Sequence, residues 1–177
     1  MIIEIVKGNI IDCDTEAIVN AANTNLYAGG GVCGAIFEAA GYKKMEEACK
    51  KIGHCDTGNA VITCGFNLKS KYVIHAVGPM YIDDIEENVK ITNSQLYYAY
   101  INSLILAEEN GIKSIAFPII SAGIYGYPLP KALEIEKNAI NDYFKNHDNS
   151  CIEKIVICAY TAEIYNALIK MYNKNDI

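Results

Sequence analysis

Arginine is absent from this 177-residue chain: all fifteen basic residues are lysines. A bidentate guanidinium clamp on phosphate or carboxylate is thereby excluded. Any phosphate must be met by backbone amides, hydroxyls or lysine. A basic surplus is also lacking. The formal net charge is −6, so strong nucleic-acid binding, which depends on a basic surface, is not expected. The seven cysteines contain no C-x-x-C pair and are odd in number, which suggests neither a disulfide framework nor a zinc ribbon. Reduced, mostly buried thiols are expected instead. No apolar run approaches the roughly 20 residues of a membrane span, and no membrane partner is expected. The N-terminal MIIEIVKG reads as a strand, because a charge interrupts an apolar run too short for a signal peptide. The expected location is cytoplasmic.

Half of the residues are hydrophobic and a fifth are charged, the balance of a globular chain of a size suited to one domain. Short apolar runs at Ile2–Val6, Ala17–Asn20, Ala60–Cys64, Tyr72–Val77, Ser114–Ile119 and Lys154–Ala159 read as strands. Between them lie helical stretches at Ala35–Ala40, Lys43–Ile52, Ser94–Glu109, Lys131–Asn146 and Ala162–Tyr172. Asp83–Asn93 reads as an exposed acidic loop. Strands that are apolar throughout, alternating with helices, predict a largely parallel sheet covered on both faces. No internal repeat, linker or low-complexity segment interrupts the pattern.

In such a sheet, ligands sit beyond the carboxyl ends of the strands. Two loops suit that position: Asn20–Gly34, with Gly29-Gly30-Gly31, and Ile120–Gly126. The glycines let the backbone bend or approach a ligand closely. A helix expected to begin near Cys33 or Gly34 turns its unpaired N–H groups toward the first loop, a setting that favours an anion. Two such loops facing one crevice would hold a diphosphate. Gly29, Gly31 and Gly34 also fit G-x-G-x-x-G, the mark of a dinucleotide-binding turn. Against that, eight residues separate Asn20 from Gly29, and Cys64-Gly65-Phe66 closes the next strand without the expected acid.

Four blocks, in order, resemble the macrodomain family, the ADP-ribose-binding α/β/α module. They are Gly8-Asn9-Ile10; Ala17–Gly41, with Asn20-Ala21-Ala22-Asn23 and the triple glycine; Tyr72-Val73-Ile74-His75-Ala76-Val77-Gly78-Pro79; and Pro118–Pro128. The likeness covers nearly the whole chain. It implies a three-layer α/β/α fold with a mostly parallel, mixed central sheet, as a single macrodomain over residues 1–177. Within the family the chain looks most like the MacroD-type and bacterial branch, which removes ADP-ribose from acidic side chains and deacetylates O-acetyl-ADP-ribose.

The resemblance also implies roles. Asn9 stands where the family usually carries an aspartate for the adenine amino group, and Ile10 offers the neighbouring backbone amide. Asn23 aligns with the asparagine that holds the distal ribose and orients catalysis. Gly30, Gly31 and Val32 would line the phosphate and distal ribose. Ser121, Ala122, Gly123, Ile124 and Tyr125 would wrap the diphosphate, with Tyr125 on the distal ribose. Tyr160 would pack on adenine. Partners so implied are ADP-ribose, its derivatives and mono-ADP-ribosylated proteins, bound by a monomer without metal or cofactor.

One departure bears on catalysis. The pattern has an aspartate after G-G-G-V, where this chain has Cys33, and a nearby histidine where it has Phe37. A thiol of pKa near roughly 8.5 is a poor general base. Cys33 is either a substitute catalytic group or a small filler. The chain is accordingly expected to be an ADP-ribosyl hydrolase relying on Asn23 and positioning, or a reader that binds without turnover. His75, inside an apolar strand, reads as a core histidine. His54-Cys55 lacks companion ligands at zinc spacing.

Overall fold

The computed structural model describes residues 1–173. In chain order it contains β1 (Ile2–Lys7), a 3-10 turn at Ile10–Asp12, β2 (Ala17–Ala21), α1 (Gly31–Ala40), α2 (Tyr42–Ile52), β3 (Ala60–Cys64) and β4 (Tyr72–Ala76). Then follow α3 (Glu86–Glu109), β5 (Ser114–Phe117), α4 (Leu129–Asn146), β6 (Lys154–Ala159) and α5 (Ala162–Asn173). The six strands form one sheet in the order β1-β6-β5-β2-β4-β3. All pairs are parallel except β3–β4, which is antiparallel at one edge. This is the expected mixed α/β/α arrangement.

Alternation along the central strands divides the interior in two. Ala17, Val19, Ile115, Phe117, Ile155 and Ile157 face a large core closed by α3, α4 and α5. Ile18, Ala116, Val156 and Cys158 face a smaller one under α1 and α2, around Ile36, Phe37, Met45 and Cys49. β2, β5 and β6 are thus covered on both faces, which is why they read as unbroken apolar runs.

Element boundaries moved where local chemistry outweighed the pattern. α1 starts at Gly31, ahead of the expected Cys33 or Gly34, and Gly31 itself takes φ +59, a left-handed entry that glycine tolerates. Gly41, at φ +94, separates α1 from α2. β5 stops at Phe117, since Pro118 has no N–H to give the ladder. α4 begins at Leu129, with Pro130 accommodated in the first turn. The largest correction is α3, which starts at Glu86 where an acidic loop over Asp83–Asn93 was expected. Its acidic opening is helix chemistry: Glu86 and Glu87 sit at the positive end of the dipole. Asp84 accepts from the Ile85 N–H and from Asn88 Nδ2, and Glu86 pairs with Lys90 at i,i+4.

Candidate functional site

The strand order brings the predicted residues to one edge. Parallel strands share a carboxyl end, so the segments after β1, β6, β5 and β2 emerge side by side in that order. Asn9 and Ile10 follow β1, Tyr160 follows β6, Ser121–Tyr125 follow β5, and Asn23–Cys33 follow β2. Three inter-strand gaps put about 14 Å between the first and last of these. Loops distant in sequence thus form a single row.

A cleft of about 220 Å³ opens between the segments after β2 and β5. It is lined by Asn23, Gly29–Cys33, Ser121 and Gly123–Tyr125, with Ala21, Ala22, Gly78 and Pro118–Ile120 at its base. No charged side chain is among them. On one wall, α1 presents the unpaired amides of its first turn, and its N-cap Gly30 offers no side chain to satisfy them. On the other, the N–H groups of Gly123, Ile124 and Tyr125 meet no protein acceptor among the described residues. A Cβ on Gly30 would come within 3.3 Å of Ile124 Cδ1, so the walls meet over the cleft at that point. Ile124 is 79% exposed there.

The first wall is braced by its own side chains. Asn23 Nδ2 donates to the Tyr27 carbonyl (2.8 Å), and the Tyr27 N–H donates to Asn23 Oδ1 (3.1 Å). The Cys33 thiol donates to the same carbonyl at 3.7 Å. Leu26, between the clamped ends, holds φ 57. Gly34 must lack a side chain because a Cβ would lie 2.7 Å from the Gly29 carbonyl oxygen.

Behind Cys33 runs a buried polar chain. Asn20 Nδ2 lies 3.5 Å from Cys33 Sγ and 3.1 Å from His75 Nδ1. With Nδ1 accepting, the imidazole proton sits on Nε2 and donates to Thr63 Oγ1 (2.9 Å), whose hydroxyl donates to Met45 Sδ (3.4 Å). Burial holds the His75 pKa down at about 4, so the ring is neutral. His75 is the core histidine expected of its strand. Cys33, 5% exposed, is packed inward among these groups.

The second wall is braced from the core. Ser121 is buried and left-handed (φ 66), with an Oγ that finds no partner. A Cβ on Gly78 would come within 2.2 Å of that Oγ and 2.5 Å of Ile120 Cγ2, so the turn after β4 must be bare for this loop to fit. The Tyr127 N–H donates to the Ser121 carbonyl (3.0 Å), and the Gly126 N–H to that of Gly123 (3.0 Å). The Tyr81 N–H donates to the Tyr125 carbonyl (2.9 Å), fastening the loop from outside.

Of the expected residues, Asn23, Gly30, Gly31, Val32, Cys33, Ser121, Gly123, Ile124 and Tyr125 converge on the cleft. Ala122 belongs to the same loop but does not line it. Asn9, Ile10 and Tyr160 stand further along the row. The Asn9 side chain caps the 3-10 turn by accepting from Ile11 N–H (3.4 Å), Ile10 is buried, and Tyr160 is exposed. Sequence reasoning missed Tyr27, Asn20 and Gly78 as parts of the site's support. Gly78 lay in a quoted block, but nothing in that block pointed to the close approach that makes it necessary.

An α/β/α sheet with an uncharged, amide-lined cleft at the carboxyl ends of its strands defines an anion-cradling domain of nucleotide-binding type. The chain belongs to the Macro domain family, whose model matches residues 19–136. It is 44% identical over 174 residues to an O-acetyl-ADP-ribose deacetylase of Escherichia fergusonii, covering 94% of each chain. It is also 44% identical over 154 residues to the ADP-ribose glycohydrolase MACROD2 of Xenopus laevis, covering 87% of this chain but 36% of that longer protein. The solved macrodomain of Trypanosoma brucei in complex with ADP-ribose superposes with a TM-score of 0.86 at 33% identity, covering 96% of this chain and 68% of that one. Among the described residues no helix is long and apolar enough to cross a membrane.

Proposed function

We propose that this protein binds ADP-ribose in the cleft and hydrolyses esters of it, either on acidic side chains of proteins or in O-acetyl-ADP-ribose. The carrying observation is the pair of facing amide walls in a cleft without a charged side chain. Such a site fits a diphosphate, whose charge replaces no counter-ion already in place. The names of the relatives supply the remainder of the ligand and the reaction class. In this reading the diphosphate lies between Gly30–Val32 and Ser121–Tyr125, the distal ribose near Asn23 and Tyr125, and adenine toward Asn9, Ile10 and Tyr160.

The chemistry is ester hydrolysis by water. Water adds to the acyl carbon, the bond to the ribose oxygen breaks, and a carboxylic acid and a ribose hydroxyl are released. No carboxylate lines the cleft, so rate enhancement rests on holding water and ester in line. Asn23 serves by fixing the loop beside the distal ribose. The absence of a carboxylate from the lining residues also favours a second reading, a module that binds ADP-ribose without turning it over.

Time-resolved release of ADP-ribose from a protein mono-ADP-ribosylated on glutamate separates the two. Release by the wild type, reduced about 100-fold or more in Asn23→Ala, establishes the hydrolase. No release, with free ADP-ribose bound at micromolar affinity, makes the protein a reader. Neither release nor binding rejects the proposal.

A further inference from the structure

Tyr100 lies far from any motif, midway along α3, yet its hydroxyl reaches the base of the cleft. The side chain is fully buried, with its ring against Phe117 at 5.4 Å. The hydroxyl accepts the Ile120 N–H at 3.0 Å and donates to the Pro118 carbonyl at 3.5 Å. It therefore spans the residues by which the chain leaves β5 and enters the second wall.

The next residue is the strained one. A left-handed serine is strained and persists only where its surroundings over-determine it. Here the determinants are two hydrogen bonds on either side of the strain. Tyr100 holds Ile120, immediately before Ser121, and the Tyr127 N–H holds the Ser121 carbonyl. The Gly78 backbone leaves the space that Ile120 and Ser121 occupy. Removing the Tyr100 hydroxyl would leave the Ile120 N–H buried without an acceptor. The strain at Ser121 would then relax into the segment that carries the unpaired amides of Gly123–Tyr125.

We propose that Tyr100 is a positioning residue for the anion-binding wall: from inside the core it fixes the backbone that Ser121–Tyr125 present to the ligand. The consequence for affinity rests on the ADP-ribose reading above; the consequence for the loop does not.

Tyr100→Phe keeps the ring and its packing. In the ligand-free wild type, the Ile120 amide exchanges its hydrogen slowly while those of Gly123–Tyr125 exchange fast. In Tyr100→Phe, Ile120 exchange accelerates about tenfold or more and the α3 amides are unchanged. A fast Ile120 amide in the wild type, or an unchanged one in the variant, overturns the proposal. The wild-type measurement decides even where the variant fails to fold. Affinities for ADP-ribose and AMP give the second readout. Tyr100→Phe weakens ADP-ribose about tenfold and AMP, which lacks the second phosphate and distal ribose, less than about threefold. An equal loss for both marks a merely structural residue and overturns the positioning role. Failure of the wild type to bind either compound counts against the ADP-ribose reading alone, with the exchange data still deciding for Tyr100.

Discussion

Asn23 clamps Tyr27 within the loop after β2, whereas the loop after β5 hangs from Tyr100 on a helix of the opposite layer. Each loop holds one residue other than glycine in the left-handed region, Leu26 in the first and Ser121 in the second. Each presents amides to the same cleft. The titratable groups behind them are opposite in kind. Behind the first is His75, a base kept neutral by burial, joined to Cys33 through Asn20. In the core on the side of the second is Glu136, an acid kept neutral by burial, within electrostatic reach of Tyr100. A self-braced loop should fail locally. A core-braced loop should fail when something distant from the ligand changes.

The largest effect is expected from Gly34→Ala. The new methyl would meet the Gly29 carbonyl at 2.7 Å, backbone against backbone, so α1 or the triple glycine must shift. We expect ADP-ribose affinity to fall about 100-fold and stability to fall by about 1–3 kcal/mol. Faster amide exchange should be confined to residues 23–31. Equal disturbance of 120–126 would show that the two walls are one mechanical unit and end the contrast.

Acid comes next. His75 has a folded pKa of about 4 against about 6.5 unfolded. Between those values the unfolded chain binds the extra proton, so this contribution is present above about pH 6.5 and is lost as pH falls toward 4. The full loss is on the order of 3 kcal/mol. Urea unfolding from pH 7 to 4 should show it, and His75→Gln should flatten that limb relative to wild type. Parallel curves for the two proteins would mean that His75 does not titrate in this window.

Glu136 gives the opposite limb. Both its carboxylate oxygens lack partners, it is fully buried, and burial raises its pKa well above the ordinary value. The folded state keeps a proton that the unfolded chain releases, so stability falls as pH rises above the ordinary carboxylate range. Glu136→Met should therefore stabilise by about 1–3 kcal/mol at pH 7, with a larger gain at pH 9 than at pH 5. A loss of stability at all three pH values would show that the acid has a partner that Met cannot replace.

What the sequence disclosed follows the same division. The first wall was legible because its parts are neighbours in the chain: glycines, the Asn-rich turn and a helix start within Asn20–Gly34. The second was legible as a loop, from its glycines and prolines, but its support was not. Tyr100 sits on a helical face where an apolar residue would satisfy the same periodicity, and only its hydroxyl serves the loop. The strand pattern likewise pointed to all six strands, most plainly to β2, β5 and β6, which are buried on both faces. Periodicity fails at Glu86–Asn93, where acidic residues suggest a loop although a helix N-terminus favours them. Only resemblance points to Asn9 and Tyr160, and strand order, which no local pattern encodes, is what puts them in one row with the cleft.

The smallest effect is expected from Cys33→Ala, and it decides whether the first wall uses its thiol for geometry or for chemistry. The thiol's contacts, 3.7 Å to the Tyr27 carbonyl and 3.5 Å from Asn20 Nδ2, are weak hydrogen bonds, and Asn23 already satisfies that carbonyl at 2.8 Å. Losing the thiol should cost about 1 kcal/mol of stability or less and change ADP-ribose affinity and any turnover by less than about threefold. A 100-fold fall in turnover at unchanged affinity would instead make the thiol part of the chemistry. Cys33→Asp sharpens the distinction. A carboxylate there is an acceptor set against the Tyr27 carbonyl, so it should loosen the Asn23 clamp and weaken binding. If kcat rises despite weaker binding, the missing carboxylate was what limited hydrolysis. If kcat and affinity fall together, the first wall works by geometry, and a thiol that donates to Tyr27 suits that geometry better than a base would.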